Sequence, residues 1–177
     1  MGLQERLLQK GIETGEYCFY TRHGQLVYRE PRGRAAGYNW PQISIHRGDL
    51  HLAMIDAVID RVGPDAVTLA HKCVDVAQEG DEAIVRFVDP VTNTEYPEIR
   101  GAVAVSCDGV HSVARAKMHP KEAVPRYEGT TQYRGTTRWK PFLTGASMVH
   151  MGTYETGKLI IYPIRDNIDD AGRQLIN

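Results

Sequence analysis

The chain has 177 residues with 21 Lys and Arg against 22 Asp and Glu, is 42% hydrophobic and 24% charged, and carries a formal net charge of -1. That is the profile of one soluble globular domain, and its near-neutral balance offers no clustered basic field for nucleic acid or an anionic membrane. Three widely spaced cysteines, Cys18, Cys73 and Cys107, form no C-x-x-C pair; this argues against a disulfide framework or a zinc site and fits a reducing, cytoplasmic setting. No apolar run approaches the roughly 20 residues that cross a bilayer. The amino end lacks the basic-then-apolar order of a signal peptide.

Leu3, Leu7 and Leu8 stand at helical spacing before Gly11, so residues 3 to 10 read as the end of a helix, as though the chain opened inside a domain. Tyr17 to Thr21 and Gln25 to Tyr28 flank Arg22-His23-Gly24 and predict a hairpin with Gly24 at positive φ. Glu30 to Tyr38 reads as a loop, and Ile43 to Ile45 as a short strand. From Asp49 the period becomes helical: Leu50, Met54, Val58 and Val62 repeat every four residues until Gly63-Pro64 ends the run. Ala66 to Ala77, Ala83 to Val88 and Ile99 to Val105 then predict an antiparallel meander, with Ala102 to Val105 apolar on both faces and so expected to be buried. A short helix over His111 to Met118 follows. Thr130 to Trp139, Ser147 to Tyr154 and Lys158 to Pro163 read as strands of a second sheet, and Asn167 to Asn177 has little core-forming character. The fold class expected is α+β.

Two junctions carry chemistry. Val103-Ala104-Val105-Ser106-Cys107-Asp108-Gly109-Val110-His111-Ser112-Val113-Ala114-Arg115 delivers an Asp-Gly pair at a strand end, then a helix-capping Ser and an Arg one turn on. Asp108 can accept hydrogen bonds from ribityl or ribose hydroxyls, Gly109 lets a cofactor approach the backbone, and Arg115 can neutralise a phosphate. A plain strand-turn-helix with Ser112 as cap is the alternative reading. In Pro41-Gln42-Ile43-Ser44-Ile45-His46-Arg47-Gly48-Asp49-Leu50, Arg47 stands where it can reach an anion at a helix amino end, and Asp49 can cap that helix. Alone, Arg47 would read as a solvated side chain. His46 and His51 are off register for a shared metal, and no nucleophile-elbow motif supports hydrolysis.

The two junctions in this order resemble the flavin-dependent aromatic hydroxylases, the single-component FAD monooxygenases of the p-hydroxybenzoate and salicylate hydroxylase type. The family's Asp-Gly-x-x-Ser-x-x-Arg motif matches Asp108, Gly109, Ser112 and Arg115, and its FAD-contacting Arg matches Arg47; Cys107 stands where an Ala is usual. Glu30-Pro31-Arg32-Gly33, Ala36-Gly37, Pro41-Gln42, Ser44 to Gly48, Arg134-Gly135 and Tyr162-Pro163-Ile164 bring the likeness nearest to members that hydroxylate phenazine carboxylates, over roughly residues 10 to 165.

The resemblance implies part of an α/β FAD-binding fold: a β-meander with flanking helices plus part of an antiparallel substrate-domain sheet. Residues 1-125 would be an FAD-binding domain without its first βαβ unit, and 126-177 the start of the substrate sheet. The implied cofactors are FAD and NAD(P)H, with Arg47, Asp108, Gly109, Ser112 and Arg115 on the cofactor side. The implied partner is a small aromatic substrate, with Tyr133 and Arg134 lining the flavin or substrate side and Trp139, His150 and Tyr162 as further aromatic-pocket candidates. No side chain is assigned as the oxidant, and no metal, nucleic acid or membrane is expected; self-association is. The family's Gly-x-Gly-x-x-Gly turn does not occur in these residues. The expectation is a fragment of a monooxygenase, inactive alone; the rival is a non-enzymatic remnant serving as a binding or assembly module.

Overall fold

The computed structural model describes residues 2–122 and 125–177. In chain order its elements are α1 (Gln4–Leu8), β1 (Ile12–Glu13), β2 (Glu16–Tyr20), β3 (Leu26–Pro31), β4 (Ile43–Ser44), α2 (Arg47–Val62), β5 (Lys72–Glu79), β6 (Glu82–Val88), β7 (Ile99–Gly101), α3 (Val113–Met118), β8 (Thr137–Trp139), β9 (Ser147–Thr153), β10 (Gly157–Ile161), β11 (Pro163–Arg165) and β12 (Gln174–Ile176). Three-residue and four-residue 3-10 turns at Gly33–Ala36, Pro64–Ala66 and Gly109–His111 join them. The class is α+β, as expected.

The chain divides into two compact units, Met1–Ala66 with Gln132–Asn177, and Val67–Thr131. In the first, β10, β9, β2 and β3 form a four-stranded sheet in that order, mixed because β2 runs parallel to β9. Cys18 and Val149 are paired across β2 and β9 and are buried on one face. β11, β12 and β8 form a separate antiparallel sheet. The strands expected to make one second sheet are therefore shared between two. The β2–β3 hairpin forms as read, with Gly24 at φ +81.

The second unit is the expected meander, β5–β6–β7, with Ile84 of β6 fully buried. Here two expectations are corrected. The first strand starts at Lys72, after the 3-10 turn at Pro64–Ala66 and a stretch without regular structure. The third strand stops at Gly101, and Val103 and Val105 are 78% and 81% exposed. A strand apolar on both faces is buried only between neighbours. β7 is the outer strand of its sheet, so residues 102 to 105 have no ladder partner among the described residues.

Three more departures follow from pairing. Of Thr130 to Trp139 only Thr137–Trp139 enters a ladder, because β-prone side chains need a partner strand to form one. The carboxyl end contributes to the core through β12, where Gln174 and Ile176 are buried; its three residues are too few to register as a periodic pattern. β3 reaches Pro31, taking in the start of the expected loop.

Candidate cofactor and substrate site

The Asp108 segment lies in the second unit. Beyond β7 the chain runs without ladder pairing to Asp108, turns through Gly109–His111 and enters α3. Gly109 sits at φ +77, a left-handed backbone that glycine adopts without a Cβ clash. Ser112 is the N-cap of α3, and its Oγ accepts the Arg115 N–H at 3.0 Å. Asp108 Oδ2 accepts the Val113 N–H at 2.8 Å while the Ser106 hydroxyl donates to Oδ1. The hydroxyls of Ser106 and then Ser112, by hydrogen bonding to the ionised form, hold the Asp108 carboxyl well below the usual carboxylate range. The result is an exposed, fixed carboxylate that stays charged at neutral pH.

Arg115 is drawn elsewhere. Its Nη2 donates to Val110 O at 2.6 Å and its Nε pairs with Glu122 at 3.1 Å. α3 is anchored to the meander through Asp75, which takes Lys117 of α3 and, at 2.7 Å, Arg86 of β6. The Lys117 hydrogen bond is the main influence lowering the Asp75 carboxyl, followed by Arg86 among the favourable contacts. Ser106 and this Asp75 anchor were missed in the sequence. Ser106, two residues before Asp108, was the legible signal; the anchor joins residues 42 apart and left none.

In the first unit Arg47 opens the sixteen-residue helix α2. The cap is His46, whose Nδ1 accepts the Gly48 N–H at 3.2 Å, and not Asp49. The helix begins two residues before Asp49, which therefore lies inside the first turn and pairs with Arg165. The Arg47 side chain is exposed and has no hydrogen bond or ion pair among the described residues. It therefore stands free at the positive end of a helix dipole, a setting that favours an anion.

The same unit contains an apolar pocket of about 430 Å³, lined by Tyr20, Thr137, Trp139, Phe142, Val149 and Met151 among others. Its size falls within the range of small-molecule sites, and its lining is mostly apolar. Of the residues singled out in the sequence, Trp139 lines this pocket. Tyr133 does not: it lies outside any strand and is 95% exposed. Arg134 is likewise exposed and donates to Gln132 Oε1 at 3.2 Å. His150, between Val149 and Met151, falls on the opposite sheet face, with Nδ1 3.2 Å from the Tyr17 hydroxyl. Tyr162 pairs through its backbone with Asn177. Val149 and Met151, alternating on β9, were legible as one inward face; Phe142, on an irregular loop, was not.

Among the described residues there is no cluster of metal-ligating side chains, and no helix is long and apolar enough to cross a membrane. All three cysteines are free.

No family model matches the chain. It is 32% identical over its full 177 residues to a phenazine 1,6-dicarboxylic acid hydroxylase from Lysobacter antibioticus, of which it spans 44%. It is 32% identical over 143 residues, 76% of its length, to a salicylate hydroxylase from Pseudomonas putida, of which it spans 30%. The fold matches the Klebsiella pneumoniae HpxO structure complexed with FAD and uric acid, with a TM-score of 0.61 at 17% identity over 96% of this chain and 41% of that one. The chain thus spans less than half the length of these relatives. From the two sequence relatives and the shared fold, the chain belongs to the flavin-dependent aromatic hydroxylase family.

Proposed function

We propose that the chain serves an FAD-dependent monooxygenase that hydroxylates a small aromatic compound using NAD(P)H and O2. The observation that carries this reading is the similarity of all 177 residues to part of a phenazine 1,6-dicarboxylic acid hydroxylase. The residues fit the cofactor. Asp108 is an ionised acceptor at a turn opened by Gly109, and Arg47 is a free cation at a helix amino end. Bound FAD, reduced by NAD(P)H, supplies the oxygen-activating chemistry.

The chain's own residues bind and orient. Asp108 receives sugar or ribityl hydroxyls, held in place by Ser106 and the Val113 N–H. Ser112 fixes the start of α3, and Gly109 leaves room at the backbone. Arg47 meets phosphate or flavin oxygens. Arg115, already engaged by Glu122, acts by bracing the turn, and contributes charge to a phosphate only on leaving Glu122. Residues 1-125 serve the cofactor in this reading, and 126-177 furnish most of the substrate wall. The 430 Å³ pocket takes the aromatic ring, with Trp139, Phe142 and Met151 as its walls. Tyr133 and Arg134 are exposed and take no part in that wall.

A chimera tests this. The chain replaces the matching stretch of the Lysobacter antibioticus hydroxylase, and NAD(P)H-dependent oxygen uptake and hydroxylated product are measured with phenazine 1,6-dicarboxylic acid and simpler aromatic acids. A folded chimera that hydroxylates supports the enzyme reading. A folded chimera that binds FAD and hydroxylates none of them leaves the chain as a binding module.

A further inference from the structure

The mixed sheet has a second concave surface. Phe19 and His150 alternate with Cys18, Val149 and Met151 along β2 and β9 and so project from the other face. There a cavity of about 410 Å³ is lined by Phe19, Thr21, Arg22, His150, Thr153 and Thr156 among others. Tyr20, where the β2–β3 register becomes irregular, borders both this cavity and the 430 Å³ pocket. Phe19 and His150 are directly opposed across the two strands, with ring centroids 5.6 Å apart, and Phe19 meets Tyr17 at 4.3 Å and Tyr28 at 6.1 Å. Further along β9 the cavity is lined by Gly152, at φ +83, where a Cβ would collide with the Gly157 carbonyl oxygen. That stretch of wall stays bare backbone.

Most polar groups here are already occupied in holding turns. The Thr153 and Thr156 hydroxyls lie 3.1 Å apart and each accepts the other residue's backbone N–H at 3.3 Å, which closes the β9–β10 turn. Thr21 Oγ1 likewise accepts the His23 and Gln25 N–H groups. His150 and Arg22 are left over. The Tyr17 hydroxyl lies 3.2 Å from His150 Nδ1; burial pushes the Tyr17 pKa up, so the hydroxyl keeps its proton and donates it to Nδ1. His150 then carries its own proton on Nε2, which has no hydrogen bond among the described residues. Arg22 gives its Nε–H to His23 at 3.1 Å and makes no ion pair among the described residues. No carboxylate residue lines the cavity. Among the described strand residues of this sheet face the one carboxylate is Glu30, opposite Tyr17, and it is paired with Arg32, whose guanidinium lies 5.1 Å above the Tyr17 ring. Lys158, opposite Gly152, lies 3.8 Å above the Tyr154 ring and adds a further cation to this face.

We propose that this cavity is a second ligand site and that it takes a planar aromatic anion, its ring against Phe19 and the bare Gly152 backbone and its negative group on the Arg22 guanidinium and the His150 Nε2–H. A neutral ring gains the flat contact and leaves the guanidinium unmatched. An aliphatic acid gains the charge contact and little of the flat one. The inference stands on this sheet face and not on the role given to the 430 Å³ pocket.

The test uses the 177-residue chain, 15N-labelled, at neutral pH, with 2-naphthoate, 2-methylnaphthalene and hexanoate as probes. His150→Gln identifies the His150 imidazole signals among those of the seven histidines, and Trp40→Phe identifies the Trp139 indole as the reporter of the 430 Å³ pocket. 2-Naphthoate should shift the His150 signals with an affinity about tenfold above that of either other probe. Arg22→Ala, at an exposed turn residue, should weaken that affinity about tenfold, and Arg22→Lys, which keeps the charge, should retain most of it. Affinity read at Trp139 should be the same in all three chains. His150 signals unmoved by 2-naphthoate overturn the inference. So does an affinity there indifferent to Arg22→Ala, a loss in Arg22→Ala that is equal at Trp139, or 2-methylnaphthalene or hexanoate binding as tightly as 2-naphthoate.

Discussion

Replacing Ser112 with alanine isolates the device that starts α3. The helix has only six residues, too short to hold together by backbone bonds alone, and its first free N–H groups depend on side chains. Ser112 Oγ takes the Arg115 N–H at 3.0 Å, and the adjoining Val113 N–H goes to Asp108. Losing a Ser cap costs about 1 kcal/mol, which raises the local opening constant about fivefold. Buried Ala114 and the Lys117–Asp75 pair keep the rest of the helix on the meander, so the loss should stay local. Native-state hydrogen exchange reads it: the Arg115 amide should exchange about fivefold faster, with Ser112→Thr restoring most of the protection. The Asp108 carboxyl, deprived of one hydroxyl donor, should move back toward its ordinary value. Unchanged exchange at Arg115 together with an unmoved Asp108 titration would refute the assigned role of Ser112.

Three further outcomes are expected. Because the folded Asp108 carboxyl titrates below its unfolded value near 3.9, its stabilising bonds are complete above that pH and fade as pH falls through the lowered folded value; a carboxyl 13C titration midpoint at or above the ordinary Asp range would contradict this. Ile84→Ala, at a fully buried position of β6, should cost the meander about 2–5 kcal/mol in urea unfolding, and a cost under about 1 kcal/mol would show that the unit is not packed around it. Residues 1 to 177 purified alone should be colourless, show no NAD(P)H-dependent hydroxylation and self-associate through exposed apolar surface such as Val103 and Val105; a yellow, active monomer would contradict all three.

The local elements were largely legible. The four-residue period from Leu50 to Val62 gave α2, and the flanked Arg22-His23-Gly24 gave the β2–β3 hairpin, because both are set by neighbours in sequence. What depends on distant partners was not. Pairing of β2 with β9 joins residues more than a hundred apart, and nothing in either strand names the other. The apolar run at Ala102 to Val105 announced a buried strand, but burial needs a neighbour that the described residues do not supply. At the site, Asp108, Gly109 and Ser112 were readable because their bonds span five residues or fewer. The Glu122 pairing of Arg115 and the Arg165 pairing of Asp49 came only with the fold.

The proposed cofactor role is that Arg47 and Asp108 each contribute to FAD retention. Its most direct test is the FAD content and FAD dissociation constant of the hydroxylase chimera carrying Arg47→Ala, Asp108→Ala or both. Arg47 is exposed and unpaired and Asp108 lies at an exposed turn, so circular dichroism should report an unchanged fold for each variant. Each single substitution should weaken FAD retention by about tenfold or more. Full FAD retention in both folded single variants, and in the double variant, would contradict the account and return the two residues to an ordinary solvated arginine and an ordinary turn.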